Sequence, residues 1–461
     1  MKICFVIISA SIVLGACNKF NDINENPNLP TVATNTQLIS NSELYLQNIG
    51  SSPQAEYFAQ YLSETQYPNL SLYTQVSANF YGIYQSPLMN LEAVLTASTF
   101  DAKEGPISNQ LAVAKILKAY YMWHVTDRWG DVPFTDALKG RENFTPKYDP
   151  QKSIYDSLFK LLDEASKMIV AGKISNDILY NGDPNSWKKL ANTIRLLMAL
   201  RLTEVDAVKG KEEFNKAIAA GVMTSNADNM VYKHLPNAQN ENYWYDQIFD
   251  QKRQWWALSV TLVDKMKPAN DPRLPVYGNK NSSGEYVGLT FGQTDNLSTT
   301  AYSLLGNALW KQDAPIYLVT YAQVLFALAE AAKLGWITGG DTKAEENYNL
   351  AIQNSVLQWT GSTTGASALY NHATVKYNAT TALEQIATQR WVHLFMHGYE
   401  AWAEWRRTGY PALTSPQGNP VPTRQGYPVD EQFNNKSNYQ DAVQRQFAGT
   451  DGLYGKLWWD K

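Results

Sequence analysis

Tyr321-Ala322-Gln323-Val324-Leu325-Phe326-Ala327-Leu328-Ala329-Glu330-Ala331-Ala332-Lys333-Leu334-Gly335 is the stretch on which the fold of this chain turns. The whole segment from Ile316 to Leu334 is apolar and alanine-rich, which predicts a buried helix, and Gly335 supplies its stop. Thr342 and Glu345 then have the spacing of a capping box opening a second helix. That helix carries Ala344, Tyr348, Ala351, Ile352 and Ser355 on one face. Ala322, Ala327, Ala329 and Ala332 are small enough to let neighbouring helices approach closely. The two elements predict a helical hairpin.

The same pattern extends outward. Ile154, Leu158, Leu161, Leu162 and Ala165 keep helical apolar spacing. Asp183-Pro184 reads as an N-cap with proline at the first helical position, opening a helix through Leu190, Ile194, Leu197 and Arg201. The expected fold class is therefore mainly α, a scaffold of hairpins of tetratricopeptide-like length without that repeat's usual signature. Two segments break the pattern. Residues 225–315 are punctuated by Gly278, Gly284, Gly288, Gly292 and Gly306, and residues 408–452 by five prolines. Long irregular segments on a rigid scaffold are where recognition usually sits.

At the N-terminus, Lys2 precedes an apolar run from Ile3 to Leu14 that is too short to span a bilayer. Leu14-Gly15-Ala16-Cys17 ends it in the manner of a bacterial lipobox, which predicts cleavage before Cys17 and lipid on its sulfur. The alternative is an ordinary secretory signal with Cys17 merely near the cut. The expected organisation is a signal peptide over 1–16, a lipidated tether over 17–36 and a single domain over 37–461 containing the loop-rich lobe. Asp22, Asn24 and Asn26 lack the glycine and glutamate of a calcium loop, so this stretch reads as linker. Cys4 and Cys17 are the only cysteines. A mature chain starting at Cys17 would have no internal disulfide and would rely on its core. A net charge of −4 gives no reason to expect nucleic acid as a partner, and no segment after residue 17 is apolar enough to cross a membrane.

Charged residues make up only 18% of the chain while aromatics reach 12%, with 28 Tyr and 14 Trp, a composition that favours sites where rings meet polar ligands. Two aromatic segments are candidates. One holds Tyr67, Tyr73, Phe80, Tyr81 and Tyr84 among amides ending at Asn90. The other holds Tyr243, Trp244, Tyr245, Phe249, Arg253, Trp255 and Trp256. Rings can stack on the C–H face of a sugar while Asn, Gln and Arg bond its hydroxyls, and the same mixture suits a peptide. The expected ligand residues are Tyr67, Tyr73, Tyr81, Tyr84, Asn90, Tyr243, Trp244, Tyr245, Arg253 and Trp255. Phe80, Phe249 and Trp256 are expected in the core.

Enzyme-like patterns are weaker. His393, His397, Glu400 and Glu404 would lie along one stripe of a helix, yet the H-E-x-x-H glutamate is absent, so a structural polar seam flanked by Arg390 and Arg407 is the reading adopted. Glu241, Asp246 and Asp250 could form a carboxylate pair for glycoside hydrolysis only if brought to the right separation. No nucleophile elbow or phosphate-binding loop occurs. No catalytic residue, metal site or cofactor is assigned.

Several motifs, in this order along the chain, resemble the SusD/RagB family of nutrient-binding outer-membrane lipoproteins from Bacteroidetes. They are the lipobox with its Asn26-Pro27 tether, Arg128-Trp129-Gly130-Asp131-Val132-Pro133-Phe134, Trp187-Lys188-Lys189-Leu190-Ala191-Asn192 leading to Arg195, Asp271-Pro272-Arg273-Leu274, Ala329-Glu330-Ala331-Ala332, Gln389-Arg390-Trp391, Gly398 to Arg407, and Leu457-Trp458-Trp459-Asp460-Lys461. The resemblance implies a cell-surface lipoprotein that binds a glycan, or in some branches a peptide. It also implies a lid on a SusC-like TonB-dependent transporter, and no chemistry. The alternatives from other classes are a surface glycoside hydrolase and a pure tetratricopeptide-like adaptor. Arg128 to Asp131 reads as a structural corner in which Asp131 bonds backbone or Arg128.

Overall fold

The computed structural model describes residues 33–460. The expected signal peptide, Cys17 and the tether up to residue 32 lie outside the described residues. The first helix, Asn35–Leu44, begins inside the stretch read as tether, capped by Thr34 and Gln37 in a reciprocal box.

The expectation of a mainly α hairpin scaffold holds. Ile107–Trp129 packs on Gln151–Met168, Pro184–Leu200 on Ala207–Ala220, Tyr321–Lys333 on Gly340–Thr360, and Ala382–His393 on Gly398–Thr408. Asp183 accepts the Ser186 N–H at 2.8 Å with Pro184 at the first helical position, as its sequence predicts. Ala322, Ala327, Ala329 and Ala332 are all buried at helix contacts, and Ala344, Tyr348, Ala351, Ile352 and Ser355 form the inner face of the next helix.

Local readings are corrected at three places. Ile316–Val319 is a strand pairing with Met230–Tyr232, because Thr320 caps the helix with Gln323 and so starts it at Tyr321. The Gly340–Thr360 helix starts two residues before Thr342, with Gly339 at the N-cap in a left-handed conformation, so Thr342–Glu345 is no capping box. The segment read as turn-rich after Thr408 contains the helix Lys436–Phe447.

Buried charges stitch hairpins together from inside. Arg201, fully buried, donates to Asp127, Glu400 and Glu404. Arg390 and Arg407 both bridge Glu330 and Glu404. Burial pushes Glu404 up, but Arg407, Arg390 and Arg201 together hold it well below the usual carboxylate range. Removing one member of such a buried network leaves an uncompensated charge, at a cost of about 3–5 kcal/mol.

A second hydrophobic core sits apart from the main helical one and supports the irregular lobe. It gathers Tyr57, Phe58 and Tyr61 with Trp244, Trp256, Leu258, Trp391 and Trp402. Among the described residues, no helix is long and apolar enough to cross a membrane.

Candidate ligand-binding site

A two-stranded antiparallel pairing brings the early aromatic segment to the mid-chain one. Leu62 faces Leu258, Ser63 faces Ala257, and Glu64 faces Trp256. Just beyond the pairing, the Thr65 N–H and hydroxyl both donate to the Trp255 carbonyl, at 3.1 and 2.8 Å. Trp256 Nε1 donates to Tyr57 Oη at 2.9 Å, and that hydroxyl donates to Glu64 at 2.6 Å. Burial raises the Glu64 carboxyl while the Tyr57 bond partly opposes it.

The result is a ring pair at the surface, one ring exposed and the other half-buried. Tyr67, 54% exposed, meets Trp255 edge to face with centroids 5.4 Å apart and planes at 88°. Arg253 holds its guanidinium 5.9 Å from the Trp255 ring and donates to Gln247. Trp255 opens onto a pocket of about 230 Å³ lined also by Trp256, Trp310, Gln254, Asn279 and Asn307. Two half-buried indoles, Trp255 and Trp310, thus share a cavity with three amide side chains. Such a site can stack an apolar ring face and bond the polar groups around its edge.

The ten expected ligand residues are dispersed. Tyr67, Arg253 and Trp255 come together here. Tyr243 and Tyr245 are half-buried on the adjoining turn, Tyr245 stacked on Phe249 at 4.8 Å and 20°. Phe80 and Trp256 are buried as expected, but Phe249 is 46% exposed, with the Lys252 ammonium 4.4 Å from its ring. Tyr73 is not available to a ligand: it is buried between Phe58 and Phe291, and its hydroxyl accepts from Gln60. Trp244 is also core, 1% exposed and packed edge-on against Trp256. Tyr81 and Tyr84 line a different, apolar groove with Met89, Leu138 and Phe144. Their hydroxyls are already committed to Glu431 and to the Pro133 carbonyl. Asn90 bonds Asn41 between helices. Trp310, Gln254, Asn279 and Asn307 were missed. The signal for Trp310 was an indole inside the glycine-punctuated lobe.

The other constellations are structural or incomplete. The helix breaks between His393 and Gly398, with Met396 at φ 66°, so the histidines and glutamates share no single stripe. His393 bonds Thr320 and Ser355 through its two ring nitrogens. Burial pushes His393 down to about 3 and His397 to about 4. Asp131 accepts from the Gln151 N–H and Arg445, not from Arg128. Arg128 instead lies over the Tyr399 ring at 3.8 Å and the Trp129 ring at 4.2 Å. Glu241, Asp246 and Asp250 do converge, with one oxygen of each within 4.8 Å of the others. They are partly or fully exposed, and Gln251 and Gln312 donate to Asp246 and Glu241.

Residues 27–428 match the SusD-like family described as starch-binding, associating with outer membrane. The chain belongs to this family. Among solved structures it is similar to a chitin-binding protein at 31% identity, covering 93% of this chain and all of that one, with a TM-score of 0.83. It is also similar to an outer membrane protein of Bacteroides vulgatus and a SusD homolog of Bacteroides fragilis. Each is 25% identical over 93% of this chain and all of its own, with a TM-score of 0.81. No curated protein matches the chain. The SusD-like relatives span the hairpin scaffold and the lobe together, so the Trp255 pocket is embedded in a shared architecture.

Proposed function

We propose that this SusD-like protein captures an oligosaccharide at the Trp255 pocket and passes it, uncleaved, to a SusC-like TonB-dependent transporter. One observation carries the reading: Trp255, which meets the exposed Tyr67 edge to face, shares a pocket of about 230 Å³ with Trp310 and an amide rim. Stacking accounts for the apolar faces of a pyranose, and Gln254, Asn279, Asn307 and Arg253 for its hydroxyls. Tyr243 and Tyr245 extend the contact surface for a longer chain. The relative described as chitin-binding supports a glycan over a peptide. Cys17 carries the lipid that keeps the protein at the outer membrane, on its external face, beside the transporter.

Isothermal titration of the full-length protein in detergent against panels of oligosaccharides and peptides tests this. The expected result is binding of a glycan that Trp255→Ala weakens, with the glycan recovered intact and a large β-barrel co-purifying from native membranes. Binding of peptides alone, or of nothing, would overturn it.

A further inference from the structure

Tyr81 and Tyr84 line a groove of about 430 Å³, separate from the Trp255 pocket, together with Phe80, Met89, Leu138 and Phe144. The hydroxyls in this groove are spent inside the protein. Tyr81 Oη donates to Glu431 at 2.6 Å and Tyr84 Oη donates to the Pro133 carbonyl, while Glu431 accepts two further bonds from Tyr148 and Asn435. What remains is ring face and hydrocarbon, which suits apolar side chains and would leave a sugar's hydroxyls without partners. Phe144 at the edge is 78% exposed and Met89 37%, and exposed apolar surface of this kind marks an interaction site.

The rim adds a charge requirement. Asp136 accepts from Lys139, from Asn143 and from the Lys147 N–H, so its carboxylate is already matched within the loop. Arg141, exposed on the same rim, enters no ion pair among the described residues. The fitting occupant is a segment that carries apolar side chains interleaved with carboxylates.

Such a segment lies in this chain, just before the described residues: Phe20-Asn21-Asp22-Ile23-Asn24-Glu25. The helix Asn35–Leu44 runs alongside Met89–Leu95, with Asn35 bonded to the Thr99 carbonyl at one end and Asn41 to Asn90 at the other. The described chain therefore starts about one helix length, ~15 Å, from Met89. Phe20 stands thirteen residues before Ala33, and a stretch of that length reaches up to about 40 Å when extended. A segment tethered so near meets the groove at an effective concentration on the order of millimolar, an advantage that neither a second copy nor a separate partner has.

We propose that residues 20–25 dock in this groove, with Phe20 and Ile23 against its rings and an acidic side chain beside Arg141. Where Cys17 carries its lipid, only Asn18 and Lys19 then separate the anchor from the docked segment, which draws this face of the scaffold toward the membrane. The glycan reading is independent of this contact.

The test places the photo-crosslinker p-benzoylphenylalanine at position 144 of the full-length protein in native membranes, a substitution that the exposure of Phe144 tolerates. Irradiation is expected to give a product of monomer mass, in which peptide mapping joins position 144 to residues 20–25. Phe20→Ser with Ile23→Ser should lower that yield about tenfold, as loss of two apolar anchors shifts such an equilibrium, with an unchanged melting temperature. Arg141→Glu should lower it too, and Asp22→Lys with Glu25→Lys should restore it in that background. Crosslinks to a second copy, to another polypeptide or to lipid, or no crosslink at all, overturn the proposal, as does a yield indifferent to Phe20 and Ile23.

Discussion

Trp244 meets Trp256 edge to face, with ring centroids 5.2 Å apart and planes at 89°, and Trp256 in turn supports Trp255 at 5.3 Å. The three indoles form a brace from the lobe's core to its surface, and Trp255 is the most exposed of them. Position in that brace predicts opposite phenotypes. Trp244→Ala should cost about 3–5 kcal/mol of stability through the cavity it leaves. Trp255→Ala should leave the melting temperature nearly unchanged and cost about 1–3 kcal/mol of ligand affinity. Thermal unfolding and titration on both variants check this. The reverse pattern would show that the brace does not end at a binding surface.

Glu56 predicts a pH dependence of stability. Its Oε1 accepts the Gly398 N–H at 3.0 Å, while Oε2 is buried with no partner among the described residues. Burial pushes it up to about 8 from an ordinary 4.5. Between those values the native state keeps a proton that the unfolded chain has released, so stability falls as pH rises through the window. His393 and His397 act in the opposite direction. They stay neutral in the fold down to about 3 and 4, so stability is lost as pH falls below their ordinary 6.5. Glu56→Gln should remove the alkaline loss, gaining on the order of 4 kcal/mol relative to the parent between about pH 5 and 8. Chemical denaturation across that range measures it, and parallel pH profiles would show that Glu56 ionises freely.

The convergence of Glu241, Asp246 and Asp250 is a feature a hydrolase could use. If the protein only binds, Glu241→Gln with Asp246→Asn should leave the oligosaccharide as intact as the parent does, and affinity should change by less than about 1 kcal/mol. Chromatography of ligand after prolonged incubation decides the matter. Products formed by the parent and lost in the double variant would establish catalysis.

Cys17→Ala should move the protein from the membrane to the supernatant without lowering its melting temperature, since each lost acyl methylene removes about 0.8 kcal/mol of membrane affinity. Fractionation of cells expressing the variant reads this out. Retention in the membrane pellet would rule out the lipid as the anchor.

How far the sequence was legible depends on the range of the interaction involved. The Asp183-Pro184 cap and the inner face from Ala344 to Ser355 act within a few turns of chain, and both were readable. Ile316–Val319 was misread because its apolar residues suit helix and strand alike; its pairing with Met230–Tyr232 lies far away in the chain. Tyr73 and Trp244 were misread because an aromatic ring gives no local sign of whether it faces a ligand or a core. Phe249 went the other way for the same reason.

The sequence by itself therefore determined the hairpin scaffold and the presence of an aromatic, loop-rich lobe. These follow from residue spacing and chain chemistry over short distances. Only the tertiary structure decided which rings come together at the lobe surface, because the pairing of Glu64 with Trp256 sets Tyr67 against Trp255. It also decided which way the Asn279 amide points, because the Leu305 carbonyl and the Asn307 N–H, brought together by folding, dictate that orientation.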